Sequence, residues 1–148
     1  MSRLLYEYSL SYQGHLIIPY IFSQANFQQI YSYKLLSSDG RQGKFDRHDN
    51  PAGLYSSVLG EILQIAKDHL AQHSDIVNST DYFKWRYTYG HDLIIVHEMS
   101  GKYYYDHYKS NSLSNIAAPK LFQSEYDCIM WVKEGLEKHP SPNSKIAT

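Results

Sequence analysis

YFKWRYTYGHDLIIVHEMSGKYYYDHY, residues 82–108, decides the fold. It holds seven of the chain's 15 tyrosines and is rich in aromatic and β-branched residues, the types that suit a pleated surface. Two glycine turns cut it. Gly90-His91 suits a type II′ turn, which wants glycine first, and Ser100-Gly101 suits a second tight turn. Two-residue loops fix register, so Tyr89 should face Asp92 and Met99 should face Lys102. One face of this three-stranded meander then carries Phe83, Trp85, Tyr87 and Tyr89 beside Ile94 and Val96, followed by Tyr103, Tyr105 and His107. It is apolar enough to take a helix. The other face carries Tyr82, Lys84, Arg86 and Thr88 beside Leu93, Ile95 and His97, followed by Tyr104, Asp106 and Tyr108.

Upstream, residues 4–12 set Tyr6, Tyr8, Leu10 and Tyr12 against Glu7, Ser9 and Ser11, the period of a strand with one wet face. Gln13-Gly14 turns the chain into a second strand, residues 15–22. Pro19 has no ladder donor, so that strand should lie at an edge or carry a bulge. Residues 23–29, SQANFQQ, fit either a short helical turn or a loop. Residues 30–37 read as a third strand, Asp39-Gly40 as a hairpin turn, and residues 43–47 as a short fourth strand. A helix should follow, with Asn50 as its N-cap and Pro51 at its first position. At about 100° per residue, Tyr55, Val58, Leu59, Ile62, Leu63, Ile65, Ala66 and Leu70 fall in one half of its wheel.

Downstream, Ser124-Glu125-Tyr126-Asp127 resembles a capping box with aspartate in place of the usual glutamate. Cys128, Ile129, Val132 and Leu136 then line one side of a second helix ending near His139. These elements define an α+β fold: an antiparallel sheet of six or seven strands in the order ββββ-α-βββ-α, with two helices packed on one face. Residues 1–138 form one expected domain. Residues 139–148 form a polar, flexible tail.

The bulk composition narrows the functional classes. There are 14 Lys and Arg against 15 Asp and Glu, a net charge of −1. That argues against a general binder of phosphate backbones, although a local basic patch is compatible with it. The lone cysteine, Cys128, makes no internal disulfide and no cysteine-based zinc site, which fits a reducing compartment. No signal-like stretch opens the chain, and no apolar run approaches the ~20 residues of a membrane helix. A cytoplasmic setting without a membrane is expected. Asn78-Ser79-Thr80 matches a glycosylation sequon and reads as a polar loop.

Several groups of residues carry possible chemistry. Tyr82, Lys84, Arg86, His97, Tyr104, Asp106 and Tyr108 share one meander face that would hold a protein, a second copy of the chain or a planar small molecule. Tyrosine gives large contact area at low entropy cost. The leading expectation is therefore a small, non-catalytic interaction module with a Tyr-rich sheet surface. The alternative is a metal-dependent hydrolase. His69 and His73, one helical turn apart, would hold zinc with His107 as a third ligand. The zincin pattern is absent, since the sequence there is HLAQH.

A single-stranded nucleic-acid binder is the second alternative, on the Lys84-Trp85-Arg86 interleaving of base and aromatic. Alternation sends Trp85 to the opposite face, and residues 82–109 carry a charge of only about +1. Asp46-Arg47-His48-Asp49 groups acid and base before the first helix, but Asp49 and Asn50 are expected to cap that helix. The glycines and lysine of residues 39–45 lack P-loop spacing. Cys128 falls on the buried side of its helix and reads as core.

Overall fold

The computed structural model describes residues 3–37, 45–73 and 81–138. The Asp39-Gly40 turn, the sequon at Asn78 and the tail 139–148 lie outside the described residues. Among the described residues seven strands and two helices follow in the expected order, and the fold is α+β. The strands form two antiparallel sheets, of four strands and of three. The chain divides into two compact units, Met1–Lys84 and Trp85–Thr148, and each unit holds one sheet and one helix.

In the first unit the sheet runs β1 (Leu10–Tyr12), β2 (His15–Ala25), β3 (Gln28–Ser37), β4 (Asp46–Asp49). β1 is shorter than the alternation of residues 4–12 suggested, because Tyr6–Tyr8 form a 3₁₀ turn. Pro19 accounts for this. Its carbonyl accepts from Leu5 N–H at 2.9 Å, so the backbone of Pro19 faces away from β3, toward the line of β1. No N–H is there to continue the β1 ladder past the Leu10–Ile17 pair. The β1 ladder breaks where proline offers no donor, but β2 is an interior strand that the chain bridges again at Leu4–Tyr20, and the irregularity it carries is a bulge between Ile21 and Ser23.

The helix α1 spans Leu59–His73, not a segment beginning at Pro51. Asn50 takes a φ of 42°, and its side chain is spent on a turn: Oδ1 accepts from Gly53 N–H, and Nδ2 donates to Ser32 Oγ and Leu54 O. The same amide that would cap a helix here braces the Asn50–Gly53 turn, which Gly53 N–H also closes onto Asn50 O. Tyr31 and Ser56 then exchange backbone hydrogen bonds, tying the connection to β3 before the helix starts. Leu54, Tyr55 and Val58 consequently stay exposed. Ile62, Ala66 and Leu70 pack on Ile17, Tyr33 and Leu35, the core predicted from the helical wheel. Asp46–Asp49 form strand β4 rather than a loop. Asp49 accepts from Tyr20 OH instead of capping a helix.

In the second unit β5 (Arg86–Tyr89), β6 (Asp92–Met99) and β7 (Lys102–Tyr108) form the meander. The register is the expected one, with Tyr89 opposite Asp92, Met99 opposite Lys102, and Arg86, Ile95 and Asp106 in line. Gly90 takes a φ of 62°, and Ser100 and Gly101 take 53° and 78°. These left-handed positions are what two-residue hairpin turns demand. Residues 82–85 are not strand. Asp81 Oδ1 accepts from Phe83 N–H, which makes a turn of the segment read as the start of β5. Helix α2 (Glu125–Lys138) lies across β6 and β7, burying Cys128 and Val132 against Ile94, Val96 and Tyr105. Ser124 Oγ accepts from Asp127 N–H at 3.0 Å and caps it as expected.

Burial, with Glu125 nearby, pushes the Cys128 thiol up to about 11 from an ordinary 9.0. As pH rises, the unfolded chain sheds this proton first. The contribution to stability is therefore complete below the ordinary value and is lost as pH climbs toward the folded value. Denaturant unfolding of the native chain should weaken between about pH 9 and about pH 11, and Cys128→Ala should weaken less over that window. Equal slopes for the two proteins would contradict the burial of this thiol.

Candidate interaction site

The residues expected to form a Tyr-rich binding face are partly brought together. His97 pairs across the strands with Tyr104, and their rings stack at 4.9 Å between centroids. Asp106 receives the Tyr108 hydroxyl at 2.8 Å, and its other oxygen lies 3.4 Å from His97 Nε2. Arg86 opens β5, in line with Ile95 and Asp106. Tyr82 and Lys84 belong to the turn before β5, in the first unit. The middle of the face is closed. Leu93 and Ile95 are wholly buried, and Tyr108 is only 3% exposed. These polar groups mostly satisfy one another inside a sheet face that is covered.

On the helix-facing side His107 Nε2 is 2.8 Å from Asp92 Oδ2, and both side chains are largely buried. His69 and His73 lie ring to ring at 4.5 Å on the last turns of α1. Burial, and then the neighbouring His73, hold His69 below the usual imidazole value, which disfavours a charged pair there. Among the described residues no group of three or more His, Cys, Asp or Glu side chains is placed to hold a metal. Cys128 is core, as expected.

The most exposed aromatic feature is one that the periodicity of the sequence left open. Residues 23–29 are the end of a hairpin: β2 and β3 continue to an Ala25–Gln28 pair closed by Asn26-Phe27. The exposed part of β2, from Phe22 to Ala25, is about 13 Å of strand. Both turn residues have positive φ, 52° and 65°. Asn26 tolerates that conformation, but for a bulky residue such as Phe27 it is strained, at about 1–2 kcal/mol. Phe27 is nonetheless fully exposed, at 110%.

Phe22 marks the other end of this ribbon. The register shifts between Ile21 and Ser23, so Phe22 is the extra residue of a β-bulge. Bulges re-aim side chains, and this one sets the Phe22 ring 4.7 Å from that of Tyr55, both exposed. Asparagine at position 26 was the available signal for a two-residue turn. The missing glycine obscured it.

A second apolar feature lies in the meander unit. A groove of about 160 Å³ runs between β5 and α2, lined chiefly by Tyr87, Tyr89, Ile94, Ile129, Val132 and Leu136. Two hydrogen bonds tie its walls together, from Tyr87 OH to Glu125 and from Tyr89 OH to Glu137. The walls are apolar, and the carboxylates of α2 stand at the rim. Among the described residues no helix is long and apolar enough to cross a membrane. Comparison with family models, with curated proteins and with solved structures finds no match to this chain.

Two substitutions check this geometry. Phe27→Gly should raise folding stability by about 1 kcal/mol in denaturant titrations, since glycine takes positive φ without strain. A loss of stability would mean that Phe27 packs on its own chain. Asp92→Ala should cost about 1–3 kcal/mol, because it leaves the His107 imidazole buried without its partner. A neutral effect would contradict the pairing.

Proposed function

We propose that the protein is a non-catalytic interaction module that engages a protein partner through the aromatic β2–β3 ribbon. The observation that carries this reading is Phe27, a large apolar side chain held fully exposed in a left-handed position that its own fold would prefer to fill with glycine. Backbone strain of this kind persists at sites of function, where something other than folding selects the residue. Phe22 and Tyr55 extend the apolar surface toward the ribbon's base. Exposed apolar patches mark contact sites.

The ribbon supports the interaction reading better than the meander face does, since Leu93, Ile95 and Tyr108 are buried there. Residues 22–29 carry no charge, so phosphate-backbone recognition is not their chemistry. The lone buried thiol supports a reducing compartment, and the cytoplasm is taken as the setting.

Fluorine NMR tests the reading directly. With 4-fluorophenylalanine at position 27, the resonance should be sharp and solvent-exposed in dilute purified protein. It should shift or broaden when an extract of the source cells, or excess unlabelled chain, is added. A label at the exposed Tyr8, on the 3₁₀ turn, should not respond. A position-27 signal indifferent to every addition would contradict the proposal.

A further inference from the structure

The ribbon and the groove are complementary, and we propose that Phe27 of one copy seats in the β5–α2 groove of a second copy. This rests on the interaction reading above and names its partner. Three observations support it.

The first is size. An apolar protein cavity of about 150 Å³ takes up benzene, and the groove offers about 160 Å³ with walls of the same character. A phenyl ring on a ribbon is the matching knob. The second is polarity. The tip around Phe27 is uncharged and bears the side-chain amides of Gln24, Asn26 and Gln28, whose N–H groups are donors. At the groove's edge α2 presents the carboxylates of Glu125 and Glu137, with Lys133 in its wall, so the rim offers acceptors. Glu125 and Glu137 accept from tyrosines at the rim and keep lone pairs for a further donor.

The third is exposure without internal use. Phe27 is fully exposed in its own chain, so its ring is free to enter a partner. The contact joins unlike surfaces, so each copy offers one knob and one hole. Such contacts close either as a reciprocal two-fold pair or as a ring. One aromatic anchor sustains only modest affinity, and the assembly should dissociate on dilution.

Sedimentation velocity of the purified full chain tests this with two variants that leave the core untouched. Phe27→Gly removes the knob and should fold at least as well as the native chain. Lys133→Trp, at an exposed position on the groove wall, fills the hole. Native protein should show a weight-average sedimentation coefficient that rises with concentration, and each variant alone should stay monomeric. An equimolar mixture should recover a discrete one-to-one dimer, because the glycine variant still has a hole and the tryptophan variant still has a knob.

A native chain that stays monomeric at every concentration overturns the proposal. So does self-association undiminished by Phe27→Gly, or a mixture that stays monomeric. If the native chain is monomeric while the position-27 fluorine signal responds to extract, only the second copy is the wrong partner. If neither responds, the interaction reading falls too.

Discussion

Among the described residues, four two-residue turns set the register of β1, β2 and β3 and of the meander, and the cores beneath both helices depend on them. Gln13-Gly14, Asn26-Phe27, Gly90-His91 and Ser100-Gly101 each begin on a positive φ, which the right-handed twist of the flanking strands requires. A slip of one residue at any of them would turn buried side chains outward. At Ser100-Gly101 the register places His107 opposite Ile94, where it meets Asp92, and it aligns Ile94 and Val96 with the side that α2 covers. At Gln13-Gly14 it sets Leu10 opposite Ile17, and at Asn26-Phe27, with the bulge at Phe22, it sets Ile17 opposite Leu35, beneath α1.

Three of these turns contain a glycine and one does not. At Asn26-Phe27 the fold holds a phenyl ring where it would be most stable with no side chain at all. The strain and the exposure coincide on one residue, which separates it from the other exposed aromatics. Tyr87 and Tyr126, for example, lie in regular strand and helix and cost the backbone nothing. Phe22 in its bulge shows the same tendency to aim an aromatic ring outward at the cost of regular pairing. The interaction reading follows from these departures from local consistency, which in folded proteins concentrate at sites of function.

Much of the architecture was legible in the sequence because glycine turns and period-two alternation are strong local signals. The meander's register was readable from Gly90 and Gly101 alone, and the buried stripe of α1 from its 3.6-residue period. Three errors had identifiable competitors. Asn50 can cap a helix or brace a turn, and the nearby Gly53, at a φ of 68°, sided with the turn. Pro19 was read correctly as a ladder defect, but its consequence fell on β1, the strand it failed to support. Asp81 bent the chain at Phe83, shortening β5. The candidate site was less legible. Alternation says which residues share a face but not whether that face is open, so the Tyr-rich surface looked accessible when its centre is buried. The ribbon was missed because an asparagine-initiated turn without glycine resembles a loop.

The conformation of Asn26-Phe27 in solution tests the central claim most directly. NMR cross-strand contacts and backbone couplings should show Ala25 paired with Gln28, positive φ at both turn residues, and a Phe27 ring without contacts to the rest of the chain. A wider loop, with Phe27 in the extended region and its ring folded onto the sheet, would contradict the account.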